Sequence, residues 1–176
     1  MKSGNVKIEV QKGDIANQPD IQAIVNAANA ELRIGGGVAG AIHRCAGTGL
    51  ESECRKYAPI NPGEAVITGA HDLPNEYVIH CLGPVYGVDE PSDKLLAQCY
   101  GNSIKLAEEY QIESIAFPAI STGAFGYPFE AATDVALPEV KTRISEAKSL
   151  KLVRFVLFSE KGFNVYQRKL KQMGVV

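Results

Sequence analysis

The sequence lacks tryptophan altogether, and only four cysteines and three histidines occur among its 176 residues. None of the cysteines form a CxxC pair, and no cysteine and histidine stand at the spacing of zinc ligands. The sequence therefore predicts no metal site, and it predicts free thiols in a reducing compartment.

Long apolar runs and a large excess of one charge are also missing. No run approaches the roughly 20 residues of a transmembrane helix, and the N-terminal letters MKSGNVKIEV alternate like a strand rather than a signal peptide. The formal net charge of -2 argues against bulk electrostatic binding to nucleic acid or to an anionic membrane. We expect a cytoplasmic monomer without membrane or nucleic-acid partners.

Strand-like and helix-like segments alternate along the chain. The predicted strands cover residues 6–10, 23–29, 64–70, 77–84, 114–120 and 152–159, and the predicted helices cover 37–45, 49–57, 95–110, 129–147 and 164–173. Pro138 inside the fourth helix predicts a kink or a break. This alternation indicates an α/β sandwich with a largely parallel sheet, and the length fits one domain over residues 1–176.

Ligands in such folds bind beyond the carboxyl ends of the strands, where a glycine-rich loop reads RIGGGVAGAIH over residues 33–43. Consecutive backbone N–H groups without side chains can hold phosphate oxygens, and a helix that begins at Gly37 would aim its dipole at the same place. A flexible surface turn is the alternative. The loop is neither a Walker A motif nor a GxGxxG fingerprint.

A second loop, AISTGAFGYP over residues 119–128, also follows a predicted strand. Two such loops would form the two walls of a diphosphate cleft. Asp14, after the first strand, could accept a hydrogen bond from an exocyclic amine such as that of adenine, or it could simply cap a turn. Phe158, at the end of the last strand, could stack on a base or belong to the core.

Together these segments resemble the macro domain family. The resemblance rests on GDI near the start, then AIVNAAN, GGGVAGAIHRCAG, GEAVITGAHDLP, YVIHCLGP, CYGNSIKLAEE, SIAFPAISTGAFGYP and FVLFSE, in the family's order over nearly the whole chain. The pattern is most similar to the MacroD-type branch, whose members cleave O-acetyl-ADP-ribose and remove mono-ADP-ribose from proteins. It implies a three-layer α/β/α sandwich with a mixed, mostly parallel six-stranded sheet.

The resemblance also implies a ligand, ADP-ribose, bound without a metal or cofactor. Asp14 would bind the adenine amine, Ile15 would supply a backbone donor, and Phe158 would pack on the adenine. Asn29 would hydrogen-bond the distal ribose, and Phe125 would cover it. The backbones that would hold the diphosphate are those of Gly36, Gly37 and Val38 on one side, and of Ser121, Thr122, Gly123, Ala124 and Phe125 on the other.

The sequence departs from the MacroD-type pattern GGGGVDGAIH at two positions. Ile34 replaces the first glycine, and Ala39 replaces the acid that would activate the attacking water. Loss of a positioned general base typically costs on the order of 10²–10⁴-fold in rate. Other macro domains, including viral ones, read VAG here and still hydrolyse mono-ADP-ribose, with water held by the substrate phosphate and backbone.

Two residues are catalytic candidates, Asn29 to orient the ribose and His43 to assist. His43 lies one helical turn past Ala39, so both are expected to face the cleft; the alternative is that His43 only packs or bonds backbone. His80, inside an apolar strand, is read as structural.

The sequence thus predicts metal-free hydrolysis of ADP-ribosyl esters, either O-acetyl-ADP-ribose or mono-ADP-ribosylated protein. The alternative is a non-catalytic ADP-ribose reader, because the usual acid is Ala39. A phosphatase acting on ADP-ribose 1″-phosphate is a third hypothesis, and binding of RNA is a fourth that the net charge disfavours.

Overall fold

The computed structural model describes residues 2, 3 and 5–175, which form seven strands and five helices. The strands are β1 (Lys2–Ser3), β2 (Val6–Lys12), β3 (Ala23–Ala27), β4 (Ala65–Gly69), β5 (Tyr77–Cys81), β6 (Ser114–Phe117) and β7 (Leu152–Leu157). The helices are α1 (Gly37–Ala46), α2 (Thr48–Cys54), α3 (Ser92–Glu109), α4 (Phe129–Ile144) and α5 (Glu160–Gln172). Within these described residues, no helix is both long enough and apolar enough to cross a membrane.

All seven strands join one sheet in the order β1-β2-β7-β6-β3-β5-β4. The four pairs between β2 and β5 in this order are parallel, whereas β4 and β1 pair antiparallel at the two edges. The predicted mixed, mostly parallel six-stranded sheet is confirmed, and the two-residue β1 extends one edge. Because β2, β6 and β7 run in the same direction, their carboxyl ends meet at one edge of the sheet, and this places the loops that follow them together.

Helices cover both faces of the sheet, which confirms the three-layer arrangement. One buried cluster joins the sheet to α3, α4 and α5, and the other joins it to α1 and α2. Strand β7 shows how the sequence serves both: Phe155 packs in the first cluster and Val156 in the second, because successive side chains point to opposite faces.

Helices α3, α4 and α5 differ from the sequence-based expectation. Helix α4 runs without interruption through Pro138, so a break there is wrong; Leu137 and Val140, which flank the proline, are buried in the core and hold this segment against the sheet. Helix α5 begins four residues earlier than predicted, because the Ser159 hydroxyl accepts a hydrogen bond from the Gly162 amide at 3.0 Å and caps it. Helix α3 begins at Ser92, three residues before its apolar periodicity starts.

Candidate functional site

A cavity of about 730 Å³ opens at the carboxyl ends of β2, β6 and β7. This volume lies in the range of small-molecule sites. It is lined by Lys12, Gly13, Asp14, Ile15, Gly37, Val38, Ala41, Pro118, Ala119, Thr122, Gly123, Phe129, Val156, Leu157, Phe158 and Ser159. The three regions singled out from sequence, after β2, at the glycine loop and after β6, therefore contribute to one cavity.

The glycine loop, residues 33–36, ends where α1 begins, and the backbone at this junction carries no side chains. Gly36 stands at the cap position with extended backbone, and Gly37 has a φ of 55°, in the left-handed region that favours glycine. Within the part of the chain that the structure describes, no side chain caps α1 and no acidic residue occupies its first turn. The first amides of α1, beside the cavity-lining Gly37 and Val38, are left for an anion.

Two residues fix the shape of this loop. The Asn29 side chain donates from Nδ2 to the Arg33 carbonyl at 2.8 Å and accepts from the Arg33 amide at 3.0 Å. Gly40 lies so close to the loop that a Cβ there would stand 2.3 Å from the Gly35 carbonyl oxygen. Sequence reasoning missed Gly40; its only signal was a small residue one turn after the glycine run.

The second wall is the loop after β6, where Thr122 and Gly123 line the cavity. Ser121 is buried with a φ of 67°, a conformation that is uncommon outside glycine and often found at functional sites. Its carbonyl accepts from the Tyr127 amide at 2.9 Å, which closes the loop. Ala124 and Phe125 belong to this loop but not to the cavity lining, and the Phe125 carbonyl accepts from the Tyr86 amide at 2.9 Å.

Asp14, Ile15 and Phe158 all line the cavity, where the neighbouring strands β2 and β7 end side by side. Asp14 Oδ1 accepts from the Ala16 amide at 2.9 Å, so the turn-capping role does occur, and the carboxylate still borders the cavity. Phe158 is 91% exposed, so it is not a core residue. A solvent-facing ring beside a carboxylate can stack on a flat heterocycle.

The structure buries His43 rather than presenting it to the cavity. Ala39 and His43 are 5% and 4% exposed, and neither belongs to the cavity lining. Burial lowers the pKa of His43, with Glu51 opposing that effect, and no described residue bonds either ring nitrogen. This placement favours the packing alternative for His43 over assistance to catalysis.

His80 has the structural role expected of it. Its Nδ1 accepts from Asn26 Nδ2 at 3.1 Å, and its Nε2 lies 2.9 Å from Thr68 Oγ1. Complete burial lowers the pKa of His80 to about 3, and the His43 ring, centred 6.5 Å away, contributes to this shift. Both histidines are therefore neutral in the folded protein at pH 7.

Ionisable side chains are scarce around the cavity. Of the lining residues, Lys12 and Asp14 alone ionise, and both stand at or just after the end of β2. Among residues 2, 3 and 5–175, no cluster of three histidine, cysteine or acidic side chains could hold a metal ion. Apart from Lys12, negative charge in the cavity would be met by backbone amides and the dipole of α1.

Known proteins are similar to this chain in both sequence and fold. The family model of the Macro domain matches residues 25–136. The chain belongs to the macro domain family. The macro domain-containing protein TTE0995 of Caldanaerobacter subterraneus is 46% identical, over 95% of this chain and 97% of that protein. The ADP-ribose glycohydrolase MACROD2 of Xenopus laevis is also 46% identical, but this macro domain spans only 40% of its length.

Solved macro domains superimpose closely on this one. The Oceanobacillus iheyensis macrodomain with ADP gives a TM-score of 0.94 at 37% identity, covering 98% of this chain and 94% of that one. The Trypanosoma brucei macrodomain in complex with ADP-ribose gives 0.86 at 36% identity, covering 93% and 68%. The fold is thus one on which ADP and ADP-ribose have been observed in relatives.

Proposed function

We propose that this macro domain binds ADP-ribose in the 730 Å³ cavity and hydrolyses ADP-ribosyl esters there. The observation that carries the proposal is the set of chemical groups that line the cavity. Asp14 and Phe158 suit a base, and the bare amides at Gly37 and Gly123 suit the diphosphate between two walls. Relatives observed with ADP and with ADP-ribose support it.

Each part of the ligand has a partner of matching chemistry. The Asp14 carboxylate accepts from the adenine amine, the Ile15 amide donates to the ring, and the exposed Phe158 packs against its face. The amides of Gly36, Gly37 and Val38 face those of the loop over residues 121–125 across the diphosphate. The positive end of α1 adds to them without a metal. Asn29 holds the loop beside the distal ribose through Arg33.

Hydrolysis needs water at the distal ribose. For an acyl ester, water adds to the acyl carbon, the bond from that carbon to the ribose oxygen breaks, and the water proton passes to that oxygen. Ala39 offers no base, and the two ionisable lining residues stand at the adenine end. The water is therefore held by a phosphate oxygen of the substrate itself and by backbone. Binding of adenine and diphosphate positions the ester for attack.

The proposal of hydrolysis is supported by the name of the relative MACROD2, an ADP-ribose glycohydrolase. This support is limited, because the chain matches only 40% of that protein. The substrate class proposed here is O-acetyl-ADP-ribose or mono-ADP-ribose on an acidic side chain of a protein. We propose that the chain acts as one macro domain and as a monomer, which light scattering would check.

The test is to incubate the protein with a mono-ADP-ribosylated protein in the presence of a chelator, under single-turnover conditions. We expect loss of the label and release of ADP-ribose. Retention of the label over hours at high enzyme concentration, with ADP-ribose still bound in a parallel titration, would contradict hydrolysis. It would leave the protein as a reader of ADP-ribose.

A further inference from the structure

Gln18 is a buried polar side chain beneath the adenine end of the cavity. It is 3% exposed, and both ends of its amide are used. Its Nε2 donates to the Asp14 carbonyl at 3.0 Å, and its Oε1 accepts from Arg154 Nη1 at 2.8 Å. Gln18 therefore links the loop after β2 to strand β7.

Arg154 anchors this link rigidly. It is 8% exposed and stands opposite Glu9 in the parallel pair of β2 and β7, and its Nε donates to Glu9 Oε2 at 2.8 Å. Its two Nη groups donate to the two oxygens of Asp20 at 2.9 and 2.8 Å. The hydrogen bond from Arg154 lowers the pKa of Asp20, so this fork is charged at neutral pH.

The anchored carbonyl sets the direction of the next amide. The Asp14 carbonyl also accepts from the Asn17 amide at 3.0 Å, so it is held from two sides. In a trans peptide the N–H points opposite to the C=O, so the Ile15 N–H faces away from Gln18. No residue that the structure describes accepts from this N–H, and Ile15 lines the cavity.

The Asp14 carboxylate is oriented by the same turn. Oδ1 accepts from the Ala16 amide at 2.9 Å, and within the described residues Oδ2 has no hydrogen-bond partner. The cavity edge thus presents one acceptor, from Asp14, and one donor, from Ile15. Adenine offers the complement, an amine donor at C6 beside an acceptor at N1. Hypoxanthine carries an oxygen acceptor at C6 and a donor at N1.

We infer that Gln18 and Arg154 are positioning residues that set the base preference of the site, by fixing the Asp14–Ile15 peptide so that it accepts adenine and rejects hypoxanthine. The inference rests on the proposed binding of ADP-ribose. It assigns specificity to two side chains of which neither lines the cavity.

The test compares the affinities of ADP-ribose and inosine diphosphate ribose by calorimetric titration. We expect the wild type to prefer ADP-ribose at least tenfold, as hydrogen bonds to a charged group allow. Gln18→Glu keeps an acceptor for Arg154 but loses the donor to Asp14, and we expect the preference to fall to about threefold or less, through weaker binding of ADP-ribose. Gln18→Met is the second variant, without a new charge.

Glu9→Gln is the matched control, because it removes the negative charge that pairs with Arg154 Nε and leaves the Nη1 bond to Gln18 in place. It should lower thermal stability without changing the preference. Equal weakening of both ligands by the Gln18 variants, or an unchanged preference, would overturn the inference. If the wild type binds neither ligand, the proposed function itself is wrong. If it binds both ligands equally, the inference about base preference is overturned while the proposed function stands.

Should both Gln18 variants unfold, the wild type still decides the question by NMR. The side-chain amide protons of Gln18 should shift when ADP-ribose is added and shift less with the inosine analogue. The absence of any shift in these protons at saturating ADP-ribose would overturn the inference.

Discussion

The two ends of the proposed ADP-ribose site differ, because one is formed by side chains and the other mainly by backbone. At the proposed adenine end, the Asp14 carboxylate and the exposed Phe158 ring line the cavity, and the charged network of Arg154 reaches Asp14 through Gln18. At the proposed ribose end, Gly37 and Val38 offer bare backbone amides; Asn29 is engaged with Arg33, and Ala39, where the MacroD-type pattern has an acid, is buried outside the cavity lining.

This difference separates recognition from turnover. Under the proposed function, the base end would choose the ligand through side chains with fixed directions, whereas the ribose end would hold the substrate and take its proton acceptor from that substrate. Changes at one end should therefore alter affinity and base preference, and changes at the other should alter rate.

The largest effect is expected from Gly40→Val, which drives a side chain into the Gly35 carbonyl, 2.3 Å from the Cβ position. The glycine loop must shift, and we expect ADP-ribose affinity to fall at least 100-fold by calorimetry, about 2.7 kcal/mol. The Arg44 guanidinium lies 2.9 Å from the same position, so Arg44→Ala serves as a control.

Arg44→Ala alone should bind normally, and adding it to Gly40→Val should not rescue binding, since the carbonyl remains. Rescue by the double variant would show that a flexible side chain, rather than the loop backbone, was the obstacle. Circular dichroism would check that α1 is retained.

Ala39→Asp tests the ribose end. Ala39 itself is buried outside the cavity lining, so the longer Asp side chain must reach the cavity to supply the missing base. The helix dipole favours a carboxylate in this first turn of α1. We expect the single-turnover rate of label release to rise about tenfold or more. Ala39→Asn, of the same size without the charge, should give no increase. An equal gain from both variants would point to packing rather than to proton transfer.

Phe158→Ala tests the base end. Because the ring is 91% exposed, we expect the free energy of unfolding to change by less than about 0.5 kcal/mol. Loss of base stacking should weaken ADP-ribose about tenfold. Val88→Ala, at a 73% exposed position outside the cavity lining, should leave the affinity unchanged. Unchanged affinity in the Phe158 variant would remove this ring from the site.

The smallest effect on activity is expected from His43→Leu. If His43 only packs, binding and turnover stay at wild-type values; a 10²–10⁴-fold loss of rate would make it catalytic after all. The free energy of unfolding of this variant should also fall less as the pH is lowered. Both buried histidines have lowered pKa values in the folded protein, so only the unfolded chain gains their protons as the pH falls below about 6.5.

The contribution of these two histidines to the free energy of unfolding is therefore full above that pH. It declines toward pH 3, where His80 is protonated in the folded protein as well. Each histidine contributes at most about 1.4 kcal/mol per pH unit to this slope. Urea unfolding between pH 7 and pH 4 should show a shallower slope in the variant. An identical slope would contradict the buried neutral state of His43.

Sequence alone predicted the fold well, because the strands and helices have distinct apolar periodicities and the loops that matter follow strands. It also predicted that Asp14, Gly37, Thr122 and Phe158 belong to one ligand site, and the structure places all four in the lining of one cavity. The uninterrupted α4 was not predicted, since packing on both sides of Pro138 outweighs local propensity.

Contacts between distant segments were beyond the sequence. Nothing in the letters shows that Gln18 meets Arg154, 136 residues away, or that His43 turns toward His80 rather than toward the cavity. The requirement for glycine at position 40 likewise follows only from the return of the Gly35 carbonyl onto α1. Such features depend on which elements become neighbours in space.

A calorimetric titration with ADP-ribose in the presence of a chelator decides whether this macro domain binds ADP-ribose without a metal. We expect binding at one site per chain, with a rise in melting temperature on saturation. No heat and no thermal shift at millimolar ADP-ribose would contradict it.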